Sequence, residues 1–421
     1  MQKVLIITYY WPPGSGAGVQ RWLKFSKYLP SFGWEPLILT VDPGYATWPA
    51  TDITLEKDIP ADTRVYKTAA TDYFRLYRKD KKNIPSAGFA AGGSDGFSGT
   101  LQRFIRGNFF IPDPRRGWNS YAFNKACELI TDEKIDHIIT TSPPHSTQLI
   151  GLKLKKKFPG IKWIADFRDP WTDIYYYSMF YPSVIARTID SNYEKMVLRS
   201  ADKIITVGKT LKDLLSSKVS TAADKTVVIT NGFDEDDFNS IQPESPDLFT
   251  VSYIGTLSDD YPVSGFISAF RQLISMGRRM KLRFVGLVSE QRKNQICSEI
   301  GNSGVDFLPY ADHHEAIKYM TGSSALLLII PDHKSNRTIL TGKLFEYIAS
   351  GRPVICMGPA DGDAAEIIKA TSSGRVFNYD ESAQIRDYLV HLLQYPKHES
   401  ENITAFSRRK LTEKLVQAIT G

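Results

Sequence analysis

Short apolar runs recur along most of this chain, each followed by a turn and then by a segment with apolar residues at helical spacing. Residues 4–9 are the first such run. A Trp-Pro-Pro-Gly-Ser-Gly-Ala-Gly loop occupies residues 11–18. Residues 19–29 then place Val19, Trp22, Leu23 and Phe25 on one helical side before Pro30 breaks the pattern. The apolar runs are continuous rather than alternating, as expected of parallel strands covered on both faces. The pattern predicts further strands at 36–41, 137–140, 163–166, 203–207 and 226–229. It restarts in the second half with strands at 250–254, 282–285, 305–308, 325–330 and 353–357. Helices are expected between them at 263–276, 290–300, 313–320 and 342–350.

At 421 residues the chain exceeds what one hydrophobic core usually organises, so two domains are expected. Strand–helix alternation that lapses and restarts predicts an α/β fold of two Rossmann-like domains facing each other across a cleft. The polar, proline-containing run 235–247 marks the boundary. The expected domains are 1–243 and 244–400, with a final helix, 401–421, returning to the first. Between about 71 and 117 the alternation fails. That stretch combines a basic run (75–82), a Gly/Ser/Ala-rich run (86–100) and an apolar–arginine run (101–110), and is expected to be a mobile insertion ending in a short amphipathic helix.

Composition narrows the class only modestly. A net charge of +6 is compatible with anionic substrates or an acidic membrane surface, and no nucleic-acid motif accompanies it. Three scattered cysteines, Cys127, Cys297 and Cys356, fit a reducing compartment and show no metal-ligand spacing. No run approaches the ~18 apolar residues of a membrane span. A cytoplasmic protein is expected, with any contact at the inner face of a membrane peripheral. The basic run 75–82 with Arg103, Arg106, Arg115 and Arg116, beside Phe104, Ile105, Phe109, Phe110 and Ile111, could supply that contact; a solvated loop with a helix folding onto its own domain is the alternative.

Four stretches could carry chemistry. Gly14, Gly16 and Gly18 lie between the first strand and its helix, where backbone amides can approach a phosphate; equally, such glycines can simply pack strand on helix. The run 166–171 (Asp-Phe-Arg-Asp-Pro-Trp) follows a buried strand, so Arg168 and Asp169 are candidates for contacting acceptor or donor hydroxyls or for supplying a base. A self-contained ion pair closing the strand is the simpler alternative. His145 also follows a strand and is a third candidate. In the second half, Arg337, Thr341, Gly342, Lys343, Leu344 and Glu346 open a helix. There the amides and the Lys343 ammonium suit a diphosphate, and the Glu346 carboxylate suits the paired hydroxyls of a ribose.

The segment 342–355 (Gly-Lys-Leu-Phe-Glu-Tyr-Ile-Ala-Ser-Gly-Arg-Pro-Val-Ile) resembles the donor-binding helix of GT-B glycosyltransferases, particularly the retaining family 4-like group. Residues 9–14, 166–171 and 231–234 resemble other motifs of that group in the same order. The resemblance implies a nucleotide-sugar donor, UDP- or GDP-linked, held mainly by the C-terminal domain. It places Tyr310 in the loop against the base and Thr256 in the loop where the family commonly carries Arg and Lys. The acceptor, a glycan or lipid-linked glycan, would be held mainly by the N-terminal domain. The family's first glutamate of an E-x7-E pair falls at Thr338, which leaves sugar identity open. Transfer with retention, in surface polysaccharide assembly, without a metal or other cofactor, is what the resemblance implies. The alternative is a catalytically silent GT-B homologue that binds a nucleotide or partner. A nicotinamide-dependent oxidoreductase would need an acidic ribose ligand after the second strand; Asp42 is available, but the 342–355 helix would go unexplained.

Overall fold

The computed structural model describes residues 1–76, 97–239, 241 and 246–421. Residues 77–82 of the basic run and most of the Gly/Ser/Ala-rich run therefore lie outside the described residues. Contacts divide the chain into two units, residues 1–230 with 411–421, and residues 231–410.

The first unit is built on seven parallel strands, β1 (Gln2–Ile7), β2 (Trp34–Val41), β3 (Arg64–Thr68), β4 (His137–Ser142), β5 (Lys162–Phe167), β6 (Lys203–Thr206) and β7 (Thr226–Val228). They are ordered β3-β2-β1-β4-β5-β6-β7. Side chains alternate along each strand, so Leu5 and Ile7 enter one core while Val4 and Ile6 enter another on the opposite face. This is why β1 is apolar at every inner position. The second core is completed by Leu411, Leu415, Ala418 and Ile419 of the final helix Arg408–Thr420.

The second unit repeats the plan with β8 (Phe249–Ile254), β9 (Met280–Val285), β10 (Val305–Leu308), β11 (Ala325–Ile329), β12 (Val354–Met357) and β13 (Gly374–Phe377), ordered β10-β9-β8-β11-β12-β13. In both sheets the chain winds outward one way and then the other, reversing at β1/β4 and at β8/β11. Loops leaving the carboxyl ends of those strands bound the crevice where such sheets hold ligands.

Two strands escaped the apolar pattern. β3 is an edge strand whose residues are largely half-buried, and Arg64 pairs there with Glu35 and Glu133. β13 is only four residues long. Within the stretch expected to be irregular, helix Phe97–Phe109 is present. Residues 110–118 are packed: Arg115 and Trp118 are buried, and a Cβ at Gly117 would fall 2.0 Å from the Thr71 carbonyl oxygen. Among the described residues no helix is long and apolar enough to cross a membrane.

Candidate donor and acceptor sites

In the second unit the helix Gly342–Ala349 buries Leu344, Phe345, Tyr347 and Ile348, leaving Lys343 and Glu346, one turn apart, on its other side. Tyr347 anchors the helix to the end of β8 by accepting the Ile254 N–H at 2.9 Å. Immediately past β8 and β9, Gly255 and Gly286 both have positive φ, 122° and 124°. They lie against each other: a Cβ on Gly286 would fall 2.7 Å from the Gly255 carbonyl oxygen. Lys343 stretches over this glycine step, and a Cβ on Gly255 would fall 2.6 Å from its Nζ. Only glycine meets both demands, left-handed backbone and room for the ammonium.

The ammonium is poorly compensated. Lys343 Nζ donates to Tyr253 Oη at 3.1 Å and sits 4.4 Å from the centre of that ring. Tyr253 Oη in turn donates to the Thr256 carbonyl at 2.8 Å. Burial brings Lys343 down to about 8, with Glu346 pulling the other way. A cation held among neutral partners at strand ends and a helix start is a charge in want of an anion. The Glu346 carboxylate makes no hydrogen bond among the described residues; His313 Nδ1 lies 3.9 Å from it, and His313 Nε2 lies 3.0 Å from Asp237. Burial raises the Glu346 carboxyl, and its oxygens remain available to hydroxyls.

Other expected donor residues fare differently. Leu344 is in the core and its N–H donates to the Thr341 carbonyl at 3.2 Å, so that amide is not free for a phosphate. Thr341 occupies the N-cap position, but its hydroxyl does not cap; Oγ1 is buried without a hydrogen-bond partner among the described residues. Arg337 is exposed and its Nε donates to Asp361 at 2.9 Å, so its charge is already engaged. Tyr310 stands exposed just past β10. Tyr253 and the Gly255–Gly286 step were missed, although two glycines ending adjacent parallel strands were visible in the pattern.

In the first unit the two carboxylates around Arg168 separate. Asp166, fully buried at the end of β5, accepts from Arg21 (3.1 Å), Trp22 Nε1 (2.8 Å) and Thr141 (2.8 Å), and is a structural anchor. Arg168 donates to the carbonyls of Ser142 (3.0 Å) and Pro143 (2.8 Å), and its Nη1 lies 2.5 Å from where a Cβ on Gly18 would be. Gly18 and Arg168 are thus brought together. Asp169 makes no hydrogen bond among the described residues, and burial raises its carboxyl while Arg168 opposes this. Its charge is felt by Tyr176, whose hydroxyl is pushed up mainly by burial.

His145 stacks on Trp171, 5.1 Å between centroids and 13° between planes, with both ring nitrogens buried and without a hydrogen-bond partner among the described residues. Burial, helped by the Arg168 and Lys218 charges, holds it down to about 3. It is therefore a neutral hydrogen-bonding group at neutral pH, not a proton store. The glycine row does not present three amides to a phosphate. Gly14 donates its N–H to the Trp11 carbonyl at 2.9 Å and packs under Trp48, and Gly16 turns the chain with φ 102°.

Two doubly wound parallel α/β units, each with polar groups gathered past its strand ends, define a protein of the GT-B type. Residues 87–237 match the family model described as Glycosyltransferase Family 4, and residues 249–395 match Glycosyl transferases group 1; together they take in more than two thirds of the chain. The chain belongs to the GT-B glycosyltransferases of the family 4-like group, enzymes that use nucleotide-sugar donors. Comparison with curated proteins gives no match. Among solved structures it is similar to HepE of Anabaena in complex with UDP and glucose, at 14% identity and TM-score 0.61, covering 100% of both chains. It is also similar to WaaG, a glycosyltransferase involved in lipopolysaccharide biosynthesis, at 13% identity and TM-score 0.56, covering 99% of this chain and 100% of that one. The N-terminal domain of a trehalose-6-phosphate phosphatase from Candida albicans aligns as well, at 13% identity and TM-score 0.61, covering 100% and 97%. The fold thus spans several chemistries; the family models carry the assignment of reaction class.

Proposed function

We propose that this enzyme transfers a sugar, with retention, from a UDP- or GDP-linked donor to a glycan or lipid-linked acceptor in surface polysaccharide assembly, at a membrane's inner face. The observation that carries the donor half is Lys343, undercompensated and poised over the Gly255–Gly286 step. In this reading its ammonium and the start of helix Gly342–Ala349 hold the diphosphate, and Glu346 accepts from the ribose hydroxyls. The departing diphosphate takes the acceptor's proton, so that catalysis is chiefly positioning and charge stabilisation. Asp169, Arg168 and His145 orient acceptor hydroxyls, with Asp169 as the unsatisfied acceptor among them. The WaaG and HepE likenesses support the acceptor class and the base. The family matches do not favour a catalytically silent homologue.

The test is thermal stability with UDP, GDP, ADP, TDP and NAD, each alone. A ligand at a hundredfold its dissociation constant stabilises by about 2.7 kcal/mol. A shift with UDP or GDP, lost in Glu346→Ala, is expected. A shift with NAD and with no diphosphate would overturn the reading.

A further inference from the structure

Toward its strand starts, the sheet of the second unit carries polar side chains where a parallel sheet covered on both faces is expected to be apolar. On β9, Met280, Leu282 and Phe284 enter one core. The opposite face receives Lys281 and Arg283, and only Val285 rejoins a core there. Their partners in register are polar too: Thr250 and Ser252 on β8, and Asp306 of β10 opposite Arg283. Helix His313–Thr321 packs on this face through Met320. Between that helix and the strand starts lies a cavity of about 760 Å³, in the size range of small-molecule sites. Lys281, Arg283, Asp306, Lys318 and Tyr319 line it, with Asp247 and Glu315. Ile254, Val285 and Leu308, apolar on the same face, lie between it and the Gly255–Gly286 step.

The charges around this cavity are unevenly satisfied. Asp306 stands opposite Arg283 in register, yet it pairs with Lys281 at 2.9 Å. Arg283 is left without an ion pair or hydrogen bond among the described residues, and its Nε is buried. Its guanidinium carbon lies 5.7 Å from the centre of the Tyr319 ring, which is weak compensation for a partly desolvated cation. Lys318, beside Tyr319 on the helix, also makes no ion pair among the described residues. The remaining carboxylates, Asp247 and Glu315, are exposed and hydrated, so they do not relieve Arg283.

We infer that this cavity is a second ligand site, separate from the donor site, that takes a phosphorylated sugar. Two cations lining one space, one of them a guanidinium with unused donors, suit the dianion of a phosphomonoester better than a single carboxylate. Asp247 and Glu315 accept from sugar hydroxyls at the cavity mouth. The Tyr319 ring offers an apolar face to the sugar ring. The inference does not depend on the donor reading, because no residue of helix Gly342–Ala349 lines the cavity.

Calorimetric titration of the full-length protein with glucose 6-phosphate, inorganic phosphate and glucose, each alone, tests it. Glucose 6-phosphate is expected to bind at least about tenfold more tightly than either of the others, since only it engages both the cations and the hydroxyl acceptors. Arg283→Met should weaken that binding about tenfold or more, the loss expected for a charge-assisted hydrogen bond. Lys318→Glu, at an exposed helix position where folding is retained, should weaken it as well. Lys343→Met should leave it unchanged. Nucleoside diphosphate titrated into the same samples reads the donor site independently: failure there would strike the proposed function and not this cavity. Sugar phosphate binding that is lost in Lys343→Met would overturn the inference by assigning the ligand to the donor site. Inorganic phosphate bound as tightly as the sugar phosphate would overturn it too. So would unchanged binding in Arg283→Met and Lys318→Glu, or no binding by the unaltered protein.

Discussion

Replacing Lys343 by methionine should make the empty enzyme more stable and the nucleotide site worse. Methionine keeps most of the side-chain length but carries no charge to desolvate. In the folded protein Lys343 falls from the ordinary 10.5 to about 8. At about 1.4 kcal/mol per decade, that drop corresponds to about 3 kcal/mol against the protonated form. Partial solvent access makes this an upper bound. The sign follows from proton counting. Between 8 and 10.5 the unfolded chain holds more protons than the folded one, so stability of the lysine enzyme rises with pH across that window. Below 8 the penalty is present in full, and above 10.5 it is gone. The methionine variant should therefore unfold at higher temperature at pH 7, at roughly 2–4 °C per kcal/mol for a unit of this size. Its advantage should fade as pH rises from 8 to 10.5. Nucleoside diphosphate affinity should move the other way, weakening by about 1.5–3 kcal/mol for loss of a charged hydrogen bond. Calorimetric titration at pH 7 and unfolding scans from pH 7 to 10.5 measure both. An unchanged or lowered melting temperature at pH 7, together with unchanged affinity, would refute the reasoning, because the ammonium would then be neither strained nor used.

Asp169→Asn should abolish most transfer while leaving nucleoside diphosphate affinity intact, since the two groups belong to different units. Because burial raises the Asp169 carboxyl, activity that needs its ionised form should be lost, as pH falls, above the ordinary 3.8, which a pH–rate profile reads. Gly18→Ala places a methyl 2.5 Å from Arg168 Nη1 and should displace the guanidinium, raising the acceptor KM with little change in donor KM in steady-state assays. Arg21→Met leaves Asp166 buried without its charged partner and should cost about 3–5 kcal/mol in denaturant unfolding, identifying that pair as structural.

What the chain discloses on its own tracks how local the determining physics is. Strands such as 4–9 and 325–330 are readable because burial on both faces demands an apolar side chain at every position. β3 is not, because an edge strand satisfies its side chains through Arg64, Glu35 and Glu133, and those partners are distant in sequence. The candidate donor helix was legible for the same reason as the strands: core positions 344, 345, 347 and 348 leave 343 and 346 over. What Lys343 faces was not, because the Gly255–Gly286 step is created only when β8 and β9 pair. Likewise nothing in residues 166–169 distinguishes the two aspartates. That difference is made by Arg21 and Trp22, more than a hundred residues away, which saturate Asp166 and leave Asp169 with unused acceptors.

The same accounting bears on Thr338, which stands where the family resemblance places a glutamate near the donor sugar. Its hydroxyl donates to the Ser335 carbonyl at 2.8 Å, so what it can still offer a ligand is an uncharged oxygen. A carboxylate would supply two oxygens and a full charge, and charge-assisted hydrogen bonds are roughly twice as strong as neutral ones. Arg337 beside it is held by Asp361. Charge at the proposed donor site therefore concentrates on Lys343 and Glu346, one turn apart, which address diphosphate and ribose rather than sugar. The enzyme so arranged should draw its donor affinity mainly from the ribosyl diphosphate and discriminate weakly among the sugars it carries. Comparing affinities for UDP, UDP-glucose and UDP-galactose in one titration series tests this. A sugar preference exceeding about tenfold, or about 1.4 kcal/mol, would mean that groups other than Thr338 read the sugar.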